Sequence, residues 1–286
     1  MPATFVVVPQ WQGSGSSRAM RLQDGAEAIR GDLPASATRT VEVPLGAGDA
    51  VGTRVNRFSS IATVRERLLR ALDDVPEGSM PLVIGGDCGV ELGAVEHALG
   101  RAPGLAVVWF DAHADLHTPE DSPSGAFHGM VARALLGEAA PGLVPERVLA
   151  PERLVLAGTR ALDPDEQRHL DEAGIPLLDP DVVDDPVALA DAVAATGADA
   201  VYIHVDLDVL DPEDIGGVDF PEPFGVRVPA LVAAIRALRE RLPLVGAGIT
   251  EFAPASVDDA RADLAAILRV LSALTAPSPR NGQGSA

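Results

Sequence analysis

The stretch Val107-Val108-Trp109-Phe110-Asp111-Ala112-His113-Ala114-Asp115 decides how this chain is read. Apolar, β-favouring residues stop abruptly at Asp-x-His-x-Asp, the pattern of a buried strand that ends in polar groups. In an extended chain, residues two apart point the same way, so Asp111, His113 and Asp115 converge on one space. Open α/β sheets and (β/α)₈ barrels place their sites at strand carboxyl ends. Carboxylates at an apolar edge are costly to bury without a cation. A solvated loop is the competing reading.

A second stretch repeats the arrangement. Ala200-Val201-Tyr202-Ile203-His204-Val205 runs into Asp206-Leu207-Asp208, and Pro212 soon follows, which a central strand does not tolerate. Together the two strand ends offer Asp111, Asp115, Asp206 and Asp208 with one imidazole, His113. That donor set suits a divalent cation, with Mn²⁺ favoured, and the charge on its carboxylates calls for two ions rather than one. A third apolar run, Pro81-Leu82-Val83-Ile84, ends in Gly85-Gly86-Asp87-Cys88-Gly89, where the glycines permit a tight turn and close backbone approach.

Outward from these stretches, strands alternate with helices. Strands are expected at Phe5–Val8, Thr40–Leu45, residues 153–158, 175–178 and Leu244–Thr250. Helices are expected at residues 23–30, 59–72 with Ser59 or Ser60 as cap, 90–99, 127–136, 186–195, 229–242 and 256–274. Asp163-Pro164-Asp165-Glu166 opens a further helix, with Asp163 as cap and acids in the first turn. The alternation predicts a mostly parallel sheet. A closed eight-stranded barrel is the competitor. One domain is expected over residues 1–275, with a disordered Pro/Gly/Ser-rich tail over 276–286.

Bulk properties narrow the function. In 286 residues the net charge is −20, which argues against nucleic acid or an anionic membrane and suits a cationic ligand. All 22 basic residues are arginine, so any chemistry that needs a lysine Schiff base or a P-loop lysine is excluded. The single cysteine, Cys88, excludes an internal disulfide. Neither a leader nor a membrane-spanning run of ~18 apolar residues is visible, and a cytoplasmic protein is expected.

The Gly-Gly-Asp-Cys block (85–88), Asp-Ala-His-Ala-Asp (111–115) with Ser-Gly-Ala-Phe-His-Gly (124–129), and Asp-Leu-Asp-Val-Leu-Asp-Pro (206–212) resemble, in order, the blocks of the ureohydrolase superfamily of arginase, agmatinase and formiminoglutamase. The resemblance spans roughly Leu82 to Glu251. It implies a three-layer α/β fold, with a central sheet flanked by helices, and a binuclear manganese centre that hydrolyses a guanidino or formimino group. It further implies that Asp111 and Asp206 bridge the ions, that Asp115 completes one shell, and that His113 and Asp208 complete the other. His128 matches the proton-relay histidine and Glu251 the carboxylate that meets the guanidinium. Trimers or hexamers are common in the superfamily.

Cys88 stands where the superfamily has histidine, and two readings stay open. It is either a thiolate ligand, which favours softer metals than manganese, or a small buried residue. Cysteine here also resembles hydrolases of Nω-hydroxyarginine. Asp163 and Glu166 match arginase residues that contact a substrate α-amino group, but helix capping alone would also select them. Ser124 matches a residue that binds the α-carboxylate, and His117 replaces a neighbouring asparagine. The expected reaction is hydrolysis of arginine or a close derivative such as Nω-hydroxyarginine. Another guanidino acid, a formimino compound, or a metal-deficient binding role are the alternatives. His97 and His169 read as surface or capping residues, and His204 as a core histidine with a satisfied ring.

Overall fold

The computed structural model describes residues 2–277. Its strands are β1 (Ala3–Val8), β2 (Thr38–Thr40), β3 (Met80–Gly85), β4 (Leu105–Phe110), β5 (Leu154–Ala157), β6 (Leu177–Leu178), β7 (Ala200–Asp206) and β8 (Leu244–Thr250). They form one eight-stranded sheet in the order β2-β1-β3-β8-β7-β4-β5-β6. Every pairing is parallel. The order has two edges, β2 and β6, so the sheet is open and the barrel is ruled out.

The helices are α1 (Arg21–Gly31), α2 (Phe58–Asp73), α3 (Glu91–Arg101), α4 (Val131–Leu135), α5 (Pro164–Ala173), α6 (Pro180–Val183), α7 (Pro186–Ala195), α8 (Val228–Arg241) and α9 (Val257–Thr275). Alternate strand residues separate two cores. Val7, Ile84, Val108, Ile203 and Ile249 face α1, α7, α8 and α9. Val8, Val83, Val107, Trp109 and Tyr202 face α2, α3 and α4. With both faces covered, the central strands are buried throughout, which explains their continuous apolar runs. The arrangement is the expected three-layer α/β fold.

Three local expectations are corrected. The second strand is β2, not Thr40–Leu45: after Val41 donates to Val7 O at 2.8 Å, the chain leaves the sheet edge. Pro44 has no N–H for a ladder, and its carbonyl instead accepts from Gln12 Nε2 at 2.8 Å. Helix α2 is preceded by Arg57 in the left-handed region (φ 57°), with no side-chain cap. Ser59 Oγ instead accepts from Asp49 N at 3.0 Å, tying down the preceding loop. The helix expected at 127–136 starts as a 3₁₀ turn, Phe127–Met130, before α4. Most of the expected tail, residues 278–286, lies outside the described residues.

Because the strands are parallel, their carboxyl ends share one edge. The four central strands, β3, β8, β7 and β4, therefore bring Cys88, Glu251, Asp206 and Asp111 side by side. Close approach after β3 requires Gly86, where a Cβ would lie 1.8 Å from Gln10 O.

Candidate metal centre

The strand ends open into a cavity of about 580 Å³, lined among others by His113, Asp115, His117, Ser124, His128, Asp163, Glu166, Asp206, Asp208 and Glu251. Asp111 and Cys88, 0% and 1% exposed, lie beneath it against its lining residues His113 and Asp206. All the residues expected at the site thus meet in or beneath one cleft.

Asp111 is held from two sides. Trp109 Nε1 donates to its Oδ2 at 3.0 Å, and the His113 backbone N–H donates to Oδ1 at 2.7 Å. His113 Nδ1 lies 3.0 Å from Asp208 Oδ2 and 3.5 Å from Asp111 Oδ1. Asp206 Oδ1 accepts from the Asp208 backbone at 2.8 Å, and its Oδ2 accepts from Cys88 Sγ at 3.1 Å. Glu251 Oε1 accepts from Cys88 N at 3.1 Å and lies 3.5 Å from His128 Nδ1. Two site residues, Asp115 (φ 54°) and Glu251 (φ 65°), occupy the left-handed region, strain that commonly marks functional positions.

The electrostatics call for cations. Burial and neighbouring acids push the Asp206 and Asp115 carboxyls well above the usual carboxylate range. Burial and Asp111 raise Asp208 to about 6. Burial alone would lower His113, but Asp111 and Asp208 overcome it and push the imidazole up to about 12. Burial and the acids around it push the Cys88 thiol up. The Oδ2 of Asp115 and Oε2 of Glu251 are buried without a hydrogen-bond partner among the described residues. Among the described residues four groupings bring potential donor atoms within 4.8 Å of one another: Asp111-His113-Asp208, Cys88-Asp206-Glu251 and Cys88-Asp111-His204 at the floor side, and His117-Asp163-Glu166 at the mouth. Buried, crowded, underpaired oxygen donors with a few imidazoles fit divalent cations.

At the mouth, Asp163 and Glu166 both line the cleft and sit at the start of α5. They form a reciprocal capping box on α5. Glu166 accepts from Asp163 N and from Leu116 N, each at 3.0 Å. Asp163 Oδ2, on a side chain 56% exposed, lies 3.1 Å from His117 Nε2. Ser124 Oγ accepts from Ala126 N at 3.1 Å.

Several contributors carry no local signature. Arg160 donates to the carbonyls of Gly158, Asp208, Val209, Glu222 and Pro223, clasping the loops after β5 and β7. Phe220 packs on His128 with ring centroids 5.3 Å apart. Asp87 is fully buried and accepts from Gln10, Gly13 and Gly89, each at 2.8 Å. Burial and Glu251 raise its carboxyl to about 7. Two histidine readings need correction. The His97 side chain is only 7% exposed, wedged near Asp73 of α2. His204 is a core residue, but its Nδ1 has no hydrogen-bond partner among the described residues, so its ring is not satisfied.

The fold and cleft define an open α/β protein with a metal-binding crevice at the carboxyl ends of its strands. The model of the Arginase family matches residues 14–275, and the chain belongs to that family, a family of hydrolases. Arginase from Bacillus caldovelox is 32% identical over 228 residues, 74% of this chain and 76% of that protein. Its solved structure superposes with a TM-score of 0.84 at 27% identity, covering 97% of this chain and 99% of that one. Arginase from Bacillus subtilis is 32% identical over 182 residues, 60% of this chain and 61% of that protein. The arginase structure from Entamoeba histolytica shares the fold, with a TM-score of 0.85 at 22% identity, covering 97% of this chain and all (100%) of that one. No helix among the described residues is long and apolar enough to cross a membrane.

Proposed function

We propose that the chain hydrolyses the guanidino group of arginine or a close derivative such as Nω-hydroxyarginine, releasing urea or hydroxyurea and an amine. The observation that carries this reading is the acidic cluster, where Asp111-His113-Asp208 and Cys88-Asp206-Glu251 each bring donor atoms within 4.8 Å of one another, with His128 lining the same cleft. Asp111, His113, Asp206 and Asp208 would hold one divalent cation, for which manganese suits the oxygen-rich set. Asp111, Asp115, Asp206 and Cys88 would hold a second. Bound cations would supply the positive charge that makes hydroxide available near neutral pH.

A guanidinium is a resonance-stabilised cation and a poor electrophile, so placement matters. Glu251 Oε2 is the atom left to accept from the substrate's N–H groups, and a fixed orientation lowers the barrier by removing the search. Water adds at the guanidinium carbon, and the C–N bond to the substrate chain then breaks. The departing nitrogen needs a proton. His128 is placed to carry it: burial lowers its basicity, but Glu251 outweighs burial and raises it. Asp115, a buried carboxylate lining the same cleft, is the second carrier.

Support for an α-amino-acid substrate comes from the mouth. The exposed Asp163 carboxylate offers an anion to an α-ammonium, while both oxygens of Glu166 are engaged by backbone donors. A cytoplasmic trimer or hexamer completes the proposal, readable by sedimentation. The test is a urea- and hydroxyurea-release screen over arginine, Nω-hydroxyarginine, agmatine, guanidinobutyrate and a formimino amino acid after manganese loading. Turnover of the first two above the others is expected. No release from any guanidino compound refutes the reading.

A further inference from the structure

The side of the site away from the cleft is built around His204. On β7, Tyr202 and His204 stand opposite Gly246 and Gly248 of β8. Those glycines make room: a Cβ at Gly246 would lie 2.9 Å from the Tyr202 ring, and one at Gly248 would lie 1.8 Å from Glu91 Oε1. Glu91, the first residue of α3, fills that space and is fully buried. Tyr202 Oη donates to its Oε2 at 2.8 Å, and His204 Nδ1 lies 3.7 Å from the same oxygen. The ring of His204 stacks on Trp109 with centroids 3.7 Å apart, and Trp109 also grips Asp111. The far edge of the ring, Nε2, lies 3.7 Å from Cys88 Sγ.

We propose that Cys88 and His204 are paired donors to the deeper ion of this centre, and that Glu91 holds His204 in place through Nδ1. The proposal rests on the metallohydrolase reading above and deepens it. Histidines that bind metals generally give their other ring N–H to a carboxylate, and Glu91 Oε2, 3.7 Å from His204 Nδ1, stands on the side where that partner is needed, just beyond hydrogen-bond reach. Cys88, Asp111 and His204 already bring donor atoms within 4.8 Å of one another. A fully buried glutamate beside an unsatisfied imidazole is costly, and Gly248 makes room for it as Gly246 does for Tyr202; a cation beyond the ring offsets that cost. A thiolate–imidazole–carboxylate shell favours zinc, cobalt or iron(II) over manganese. The two halves of the centre therefore differ: an oxygen-rich outer half around His113 and Asp208, and a softer inner half around Cys88 and His204.

The chain loaded with Co²⁺ tests this. The wild type should bind two ions and show a near-ultraviolet thiolate-to-cobalt band. Cys88→Ser should abolish the band, whereas Asp208→Ala, at the outer half, should keep it. His204→Gln and Glu91→Gln should each weaken one of the two ions about 10- to 100-fold. X-ray absorption of the zinc-loaded wild type needs no variant and should show one sulfur at ~2.3 Å. Two cobalt ions without a thiolate band, or unchanged affinity in a folded His204→Gln, overturn the pairing and leave the hydrolase reading standing. A wild type that binds no divalent ion overturns both.

Discussion

Replacement of Glu166 by alanine separates holding the fold from holding the substrate. Glu166 is buried, 5% exposed, and takes two backbone hydrogen bonds, from Leu116 N and Asp163 N at 3.0 Å each. Leu116 belongs to the loop that also carries His113 and Asp115, so the bond ties α5 to the floor of the cleft. Glu166→Ala leaves both donors without their acceptor. At ~1.5–3 kcal/mol for a hydrogen bond to a charged group, discounted for the more exposed Asp163 N–H, the loss is about 2–4 kcal/mol. Near 2–4 °C per kcal/mol for a large domain, the melting temperature should fall by about 5–12 °C. Asp163→Ala removes one cap bond at a half-exposed position and should cost about 1 kcal/mol. Glu166→Gln keeps one acceptor oxygen and should fall between. The assay is thermal unfolding beside urea-release kinetics on arginine and agmatine. Glu166→Ala should slow both substrates alike, while Asp163→Ala should raise KM for arginine alone. A melting temperature within ~1 °C of wild type, with a loss confined to arginine, would refute the structural role assigned to Glu166.

Other outcomes follow from the same geometry. Asp111→Ala or Asp206→Ala should abolish urea release and lower bound metal measured by atomic emission, and full activity in either would sink the shared-ligand assignment. In chelator, Asp208 has a folded-state value of about 6 against an ordinary 3.8, and Asp115 and Asp206 are raised further. A raised carboxyl stabilises the fold fully below its unfolded value, and that contribution is lost as pH climbs through the folded one. Divalent cations offset the loss, so the gain in melting temperature on adding Mn²⁺ should grow from about pH 4 to about pH 7; a gain that stays flat would contradict it. Arg160→Lys should lower stability by about 2–4 kcal/mol in denaturant titrations, because one ammonium cannot reach the five carbonyls that the guanidinium fork spans. An unchanged midpoint would show that Arg160 is dispensable to the cleft.

What the sequence determined by itself was the layered architecture and the acidic strand ends. The apolar run into Asp111-x-His113-x-Asp115 and its repeat at Asp206-x-Asp208 are local patterns. Strand geometry makes local spacing into shared direction, so these residues could be grouped without a fold. The matching blocks then supplied His128 and Glu251, whose chemistry local pattern does not reveal. Tertiary structure alone decided the lateral order β2-β1-β3-β8-β7-β4-β5-β6, because crossovers, not strand sequences, choose neighbours. That order puts β3 and β4 on either side of the β8–β7 pair and so sets Cys88 beside Asp206, 118 residues away. Glu91 falls without distinction inside the helix expected at 90–99, and His204 reads as a core histidine with a satisfied ring. Gly246 and Gly248 had no reading at all. Their meaning lies in the space between two strands and a helix, where a missing Cβ on one element admits a carboxylate from another. No pattern along the chain encodes such a fit, since it depends on volumes that come into contact only after folding.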